Sequence, residues 1–171
     1  MSRPAPLVSI PVGVVVERRK AASPWIDYVW RPVTVLAGTP EATPWTPLAV
    51  EGDCATFYAG AASVGLHRSD TGNYRDNLAS GAPALWVALR PTGVDPPFEI
   101  LAVTADPSEG ESFSETGHDM VEQVPMPDAI RAALADFVAV HHVERVFFKR
   151  TRDRADPEAL APRAPVHEDD E

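Results

Sequence analysis

Prolines stand at eighteen of the 171 positions and recur from one end of the chain to the other. Each proline fixes its own φ and lacks an amide donor, so closely spaced prolines favour short strands and turns over long helices. The apolar pattern between them agrees. In "LVSIPVGVVVER", Val8, Ile10, Val12, Val14 and Val16 alternate onto one face, with Ser9, Pro11, Gly13 and Glu17 on the other. That alternation predicts a strand, and Pro11 places it at a sheet edge or a bend. "SPWIDYVWRPVTVLAG" predicts a second strand with large side chains on both faces. Ile26, Tyr28 and Trp30 share one face, and Val29, Val33 and Val35 the other, so a central or doubly covered strand is expected. Pro32 points to a bulge or a change of sheet within it.

Further strands follow. "WTPLAVEGDCATFYAG" reads as a hairpin turning at Gly52-Asp53, because glycine tolerates the positive φ of a two-residue turn. "AASVGLHRS" continues as a strand with Ala62, Val64 and Leu66 inward, and "DTGNYRDNLAS" suggests one short helical turn. "ALWVALRP" and "FEILAVTADP" form a pair joined across "TGVDPP", with Leu85, Val87 and Leu89 alternating with Trp86, Ala88 and Arg90. A helix comes last, with Pro127 and Asp128 suited to its first turn. Ile130, Leu134, Phe137, Val138 and His141 make one apolar stripe along it. The expected fold class is α+β: mainly an antiparallel sheet or small β-barrel, with a C-terminal amphipathic helix packed on it. One domain over residues 1–148 is expected, followed by a disordered charged tail over 149–171 that ends in "APRAPVHEDDE".

The length suffices for a core without disulfides or metal. The single cysteine, Cys54, excludes an internal disulfide and fits a reducing cytoplasm. The N-terminal apolar run is broken by Pro11 and closed by Glu17 and Arg18, with no small-residue cleavage site after it. Neither a signal peptide nor a membrane span is expected. A formal net charge of −10 argues against general nucleic-acid binding.

Motifs that would carry chemistry fail one by one. "GAASVGLH" spaces Gly60 and Gly65 like a phosphate loop, but Leu66-His67 stands where lysine and a hydroxyl must be. Ser63 lies in an alternating strand and not on a strand-to-helix elbow. Cys54, with His67, His118 or His141, could pair as a thiol nucleophile, but it follows a tight turn with no helix N-terminus to lower its pKa. His141 and His142 point about 100° apart on a helix, so they do not readily share one ion; a core-edge role suits His141 and a solvent-facing one His142. Glu109/Glu111 and Asp119/Glu122 fall in a polar, glycine-containing loop and suit a solvated surface. No catalytic set, metal or cofactor is expected. Trp25, Trp30 and Trp45 cluster in the N-terminal third, where core packing competes with an exposed aromatic patch for a protein partner.

Five stretches, "IPVGVVVERR", "SPWIDYVWRPVTVLAG", "FYAGAASVGLHRSDTGNYRDNL", "PALWVALRP" and "MPDAIRAALADFVAVHHVERVFFKRTRDRADPEAL", together resemble a family of small uncharacterised proteobacterial proteins. The resemblance covers nearly the whole chain. It implies genes placed beside those of molybdenum-dependent formate dehydrogenases, with ferredoxin-like and chaperone-like neighbours. It therefore implies a role in assembling, maturing or accompanying such an enzyme, and it carries over no catalytic residue.

Three functions are weighed. The first is a non-enzymatic accessory protein binding a component of that enzyme system through Trp25, Trp30, Trp45, Phe147, Phe148, Lys149, Arg150, Arg152 and Arg154. The second is a small-molecule binder or small enzyme with Arg31, His67, Arg68 and Tyr74 in a barrel mouth or beneath the helix. The third, least favoured, is nucleic-acid binding by the basic run Lys149, Arg150, Arg152 and Arg154, with Phe147 and Phe148 stacking on bases.

Overall fold

Strand β1, Val8–Lys20, is the axis of the first sheet. It pairs antiparallel with β2, Tyr28–Ala37, on one side and with β4, Cys54–Leu66, on the other. β3, Thr46–Glu51, completes the order β2-β1-β4-β3. β1 is thus interior despite Pro11, and β2, expected to be central, lies at the end of the ladder. Pro11 is tolerated because β2 has ended at its level: the Gly38 N–H, just past β2, donates to the Pro11 carbonyl at 3.1 Å. The donor that proline lacks would face that same side, where no ladder continues.

β2 also corrects the two-faced reading of its sequence. Val15 pairs with Thr34 and Val16 with Pro32, which leaves Val33 as an extra residue. The bulge reverses the alternation, so Trp30 and Val35 both turn towards the core instead of to opposite faces. One apolar face interrupted by a bulge had the appearance of two. The β3–β4 hairpin turns at Gly52-Asp53 as expected, with Gly52 at φ +58°.

After β4 come a 3-10 turn over Arg68–Asp70 and helix α1, Thr71–Ala79, longer than the single turn expected. β5, Ala84–Pro91, then pairs with β6, Phe98–Thr104. Helix α2, Pro107–Ser114, and strand β7, Met120–Pro125, occupy what the sequence suggested was a polar loop. β7 joins the far side of β5, giving a second antiparallel sheet of order β6-β5-β7. α3, Asp128–His141, ends the described chain, and its stripe buries Ile130, Leu134 and Phe137. The computed structural model describes residues 3–143, so the boundary expected at 148/149 lies outside the described residues.

The core lies between the two sheets. Val12, Val14, Val16, Val64 and Leu66 meet Leu85, Val87, Leu89 and Val124 there, and Tyr74, Ile130, Leu134 and Phe137 join from α1 and α3. No ladder links the sheets, so the mixed α+β fold is not a closed barrel. The outer face of the second sheet is covered too. Trp86, only 8% exposed, lies against α2, where a β-carbon at Gly110 would sit 2.2 Å from its Cγ.

Candidate functional site

The first sheet carries its core-facing side past the end of the apolar interior. Val16 is fully buried, but two residues later the same face presents Arg18, paired with Trp30 on β2 and Ala55 on β4. Val50 of β3 pairs with Ala55 and completes the row. Aromatic side chains fill the mouth of the core at this point. Trp30 packs on Trp45, Phe57 and Phe98, with ring centroids 6.0, 5.7 and 6.1 Å away. Above them the Arg18 guanidinium lies 4.5 Å from the Tyr28 ring and 5.2 Å from that of Phe57. A cation held over several ring faces is favoured by their quadrupoles.

The three tryptophans singled out by sequence therefore divide. Trp30 and Trp45 are partly buried and pack on the core. Trp45 holds φ +67°, the one positive φ outside glycine among the described residues, and its N–H donates to the Tyr58 carbonyl. A bulky residue pays for that backbone only where packing fixes it; here Trp30 and Phe57 do. Trp25 is 91% exposed, beside Ile26, Tyr28 and Val29, which are also exposed. Of the exposed residues, Tyr28 and Val50 border a shallow depression of about 140 Å³ with Arg18 and Lys20; Trp25 and Ile26 precede Tyr28 in the chain, and Val29, paired with Arg19, falls on the other face of the sheet. Phe147, Phe148, Lys149, Arg150, Arg152 and Arg154 lie outside the described residues.

A second feature sits where β4 gives way to α1 and where α3 ends. An open cavity of about 900 Å³ is walled there by Pro4, Leu7, His67, Arg68, His142 and Val143 among others. Of the four polar residues proposed for a small-molecule site, His67 and Arg68 meet at this cavity. Tyr74 is buried beside it and is spent on the backbone: its hydroxyl accepts from the His67 N–H at 3.0 Å, and burial pushes its pKa up to about 12. Arg31 is elsewhere, paired with Glu17 at 3.4 Å on the first sheet. The two adjacent histidines also separate. His141 stacks on Phe137, 4.5 Å between centroids, in the core-edge place expected of it. His142 is not simply solvent-facing: it caps α3, with Nδ1 3.1 Å from the Thr71 hydroxyl and Nε2 3.1 Å from Arg75.

The remaining candidates are structural. Gly60, Ser63 and Gly65 all lie within β4. Cys54 starts β4, and desolvation with the neighbouring Glu17 raises its thiol pKa, the reverse of an activated nucleophile. Asp119 is bound by Arg90 at 3.1 and 3.3 Å. Glu109 receives Arg3 at 2.7 Å and the Thr104 hydroxyl at 3.1 Å. Among the described residues no group of three or more His, Cys, Asp or Glu side chains could hold a metal ion, and no helix is long and apolar enough to cross a membrane.

Sequence reasoning missed the role of Arg18, which looked like the closing charge of a strand. The signal was present in the register: Arg18 falls on the face of Val14 and Val16, and a charge on an apolar face needs a partner.

The architecture is a two-sheet α+β domain with an aromatic cluster at one end of its core. The chain belongs to the family described as proteins of unknown function, DUF3305, whose model matches residues 11–152. No curated protein and no solved structure gives a match.

Proposed function

We propose that this protein is a non-enzymatic accessory protein that binds another protein through the rim formed by Trp25, Ile26, Tyr28, Arg18 and Val50. The observation that carries the reading is Trp25, 91% exposed beside Tyr28 and Ile26, on which no described segment packs. Contiguous exposed apolar surface marks interaction sites, and Trp, Tyr and Arg are the residue types that dominate binding energy at them. The rim is also anchored. Trp30, Trp45 and Phe57 fix the floor, so little ordering is needed on binding.

The partner we propose is a component of a molybdenum-dependent formate dehydrogenase system, as the family resemblance implies, met during assembly or maturation or as a bound small subunit. The test is purification of the full chain from its native cell and identification of the proteins that accompany it. A formate dehydrogenase component in stoichiometric amount is the expected result, and a preparation carrying none refutes this partner.

A further inference from the structure

The end of β1 carries Arg18, Arg19 and Lys20 in succession, and alternation divides them between the two faces of the sheet. Arg19 turns outward, where Glu17 receives it at 3.3 Å and receives Arg31 of β2 at 3.4 Å. Arg18 and Lys20 share the core-facing side, opposite Trp30 and Tyr28 in the β2 register. Among the described residues neither of these two forms an ion pair or a side-chain hydrogen bond. In a chain of formal net charge −10 carboxylates outnumber cations, yet none of the described ones is placed on this pair.

The Arg18 guanidinium is fixed without being neutralised. Its carbon lies 4.5, 5.2 and 5.7 Å from the ring centroids of Tyr28, Phe57 and Trp30. A ring face attracts the cation but offers no oxygen to its five N–H donors. Those donors form the fork that grips a carboxylate. Arg18 and Lys20 border the depression of about 140 Å³ together with Tyr28, Val50, Asp53 and Ala55 among others. Sites for free small molecules run to about 300–1,000 Å³, so this one suits a single side chain and not a metabolite. Tyr28, 43% exposed, supplies apolar surface on the β2 side, and Val50, 71% exposed, on the β3 side. Asp53 borders the depression, and Asp27 and Glu51 stand at the adjoining strand ends. These carboxylates disfavour a polyanion such as RNA laid across this end. One carboxylate between apolar neighbours meets only the two cations.

Resting on the reading of this end as a protein-docking rim, we propose that the partner docks through one Asp or Glu side chain flanked by apolar residues, its carboxylate held by Arg18 and Lys20. The flanking apolar side chains lie on Tyr28 and Val50. Charge then sets which partner is accepted, and apolar contact sets how firmly it is held.

Titration of the full, isotopically labelled chain with two blocked tripeptides, followed by NMR, tests this. The peptides are acetyl-Leu-Glu-Leu-amide and acetyl-Leu-Gln-Leu-amide. The glutamate peptide should shift the Arg18 side-chain Nε–H and the Lys20 and Val50 amides, and bind at least about tenfold more tightly than the glutamine peptide. Lys20→Gln, at an exposed position, should weaken glutamate-peptide binding about threefold or more and leave the glutamine peptide unaffected. Equal affinity for the two peptides, or no shift at these positions with either, overturns the proposal; co-purification with the Trp25→Ser, Tyr28→Ser variant then still decides docking through the rim. Larger shifts from oligouridine than from the glutamate peptide make nucleic acid the occupant and overturn it too. Shifts at these positions on dilution of the chain alone make a second copy the occupant, with the same consequence.

Discussion

Asn77 lies on the buried flank of α1, 4% exposed. Its amide donates to the Ala84 carbonyl at 2.8 Å and to the Ala105 carbonyl at 2.9 Å, and its oxygen accepts the Ala84 N–H at 3.1 Å. One side chain thus satisfies the start of β5 and the chain just after β6. Asn77→Leu leaves three buried backbone groups without partners, each costing about 1–3 kcal/mol. Thermal unfolding should fall by roughly 6–12 °C for a loss near 3 kcal/mol, and Asn77→Asp should also destabilise because it cannot donate. Gly110 makes the opposite of the usual helix argument. Alanine in a helix interior is ordinarily better than glycine by about 1 kcal/mol. Here a β-carbon would fall 2.2 Å from Trp86 Cγ, so Gly110→Ala should lower the melting temperature. Neither residue could be picked out in the sequence. "DTGNYRDNLAS" shows only polar letters, and the partner of Gly110 lies on a strand more than twenty residues before it.

At the level of elements, regular alternation was legible, and Pro32 also marked the bulge in β2. The inward faces of β4 and β5 and the stripe of α3 follow the written pattern, with Val64, Leu66, Leu85, Val87, Leu89, Ile130 and Leu134 at 0–1% exposure. The faces of β2 were still misassigned, because the bulge adds Val33 to the period and brings Val35 onto the face of Trp30. α2 was hidden by its polar composition and Gly110, although "DPSE" carries a helix start. Asp106 caps it by accepting the Ser108 N–H at 2.9 Å, with Pro107 in the first turn and Glu109 three residues after the cap. The entry to β7 is fixed by Arg90, at the end of β5, gripping Asp119. Hydrogen bonds from Arg90 hold the Asp119 carboxyl below its usual range. A depressed carboxylate contributes stability above its ordinary pKa of about 4 and loses it as the pH falls through the lower folded value. Asp119→Asn should therefore lower the melting temperature at neutral pH. The difference from the unsubstituted protein should shrink on acidification below about pH 4, measured by thermal unfolding across the acid range.

Across the whole molecule, the two sheets bury one continuous core and leave two apolar openings. At one end the core is stopped by Trp30, Trp45, Phe57 and Phe98, with Arg18 above them; at the other lies the cavity beside α3. Of the proposed site, composition alone revealed that tryptophans were concentrated in one third of the chain. The register of β1 against β2 turns Trp30 to the core and packing on Trp30 and Phe57 holds Trp45, and only the fold supplies either. Trp25 and Tyr28 contribute to the rim and little to the interior, so replacing both with serine should change stability by no more than about 1 kcal/mol. Binding should respond differently, since loss of an aromatic hot spot costs about 2 kcal/mol or more, roughly thirtyfold in Kd. The decisive measurement is co-purification from the native cell, run side by side for the unsubstituted chain and for Trp25→Ser with Tyr28→Ser, with circular dichroism confirming that both are folded. The account predicts a formate dehydrogenase component with the first and its loss with the second. Equal recovery with both would contradict binding through the aromatic rim.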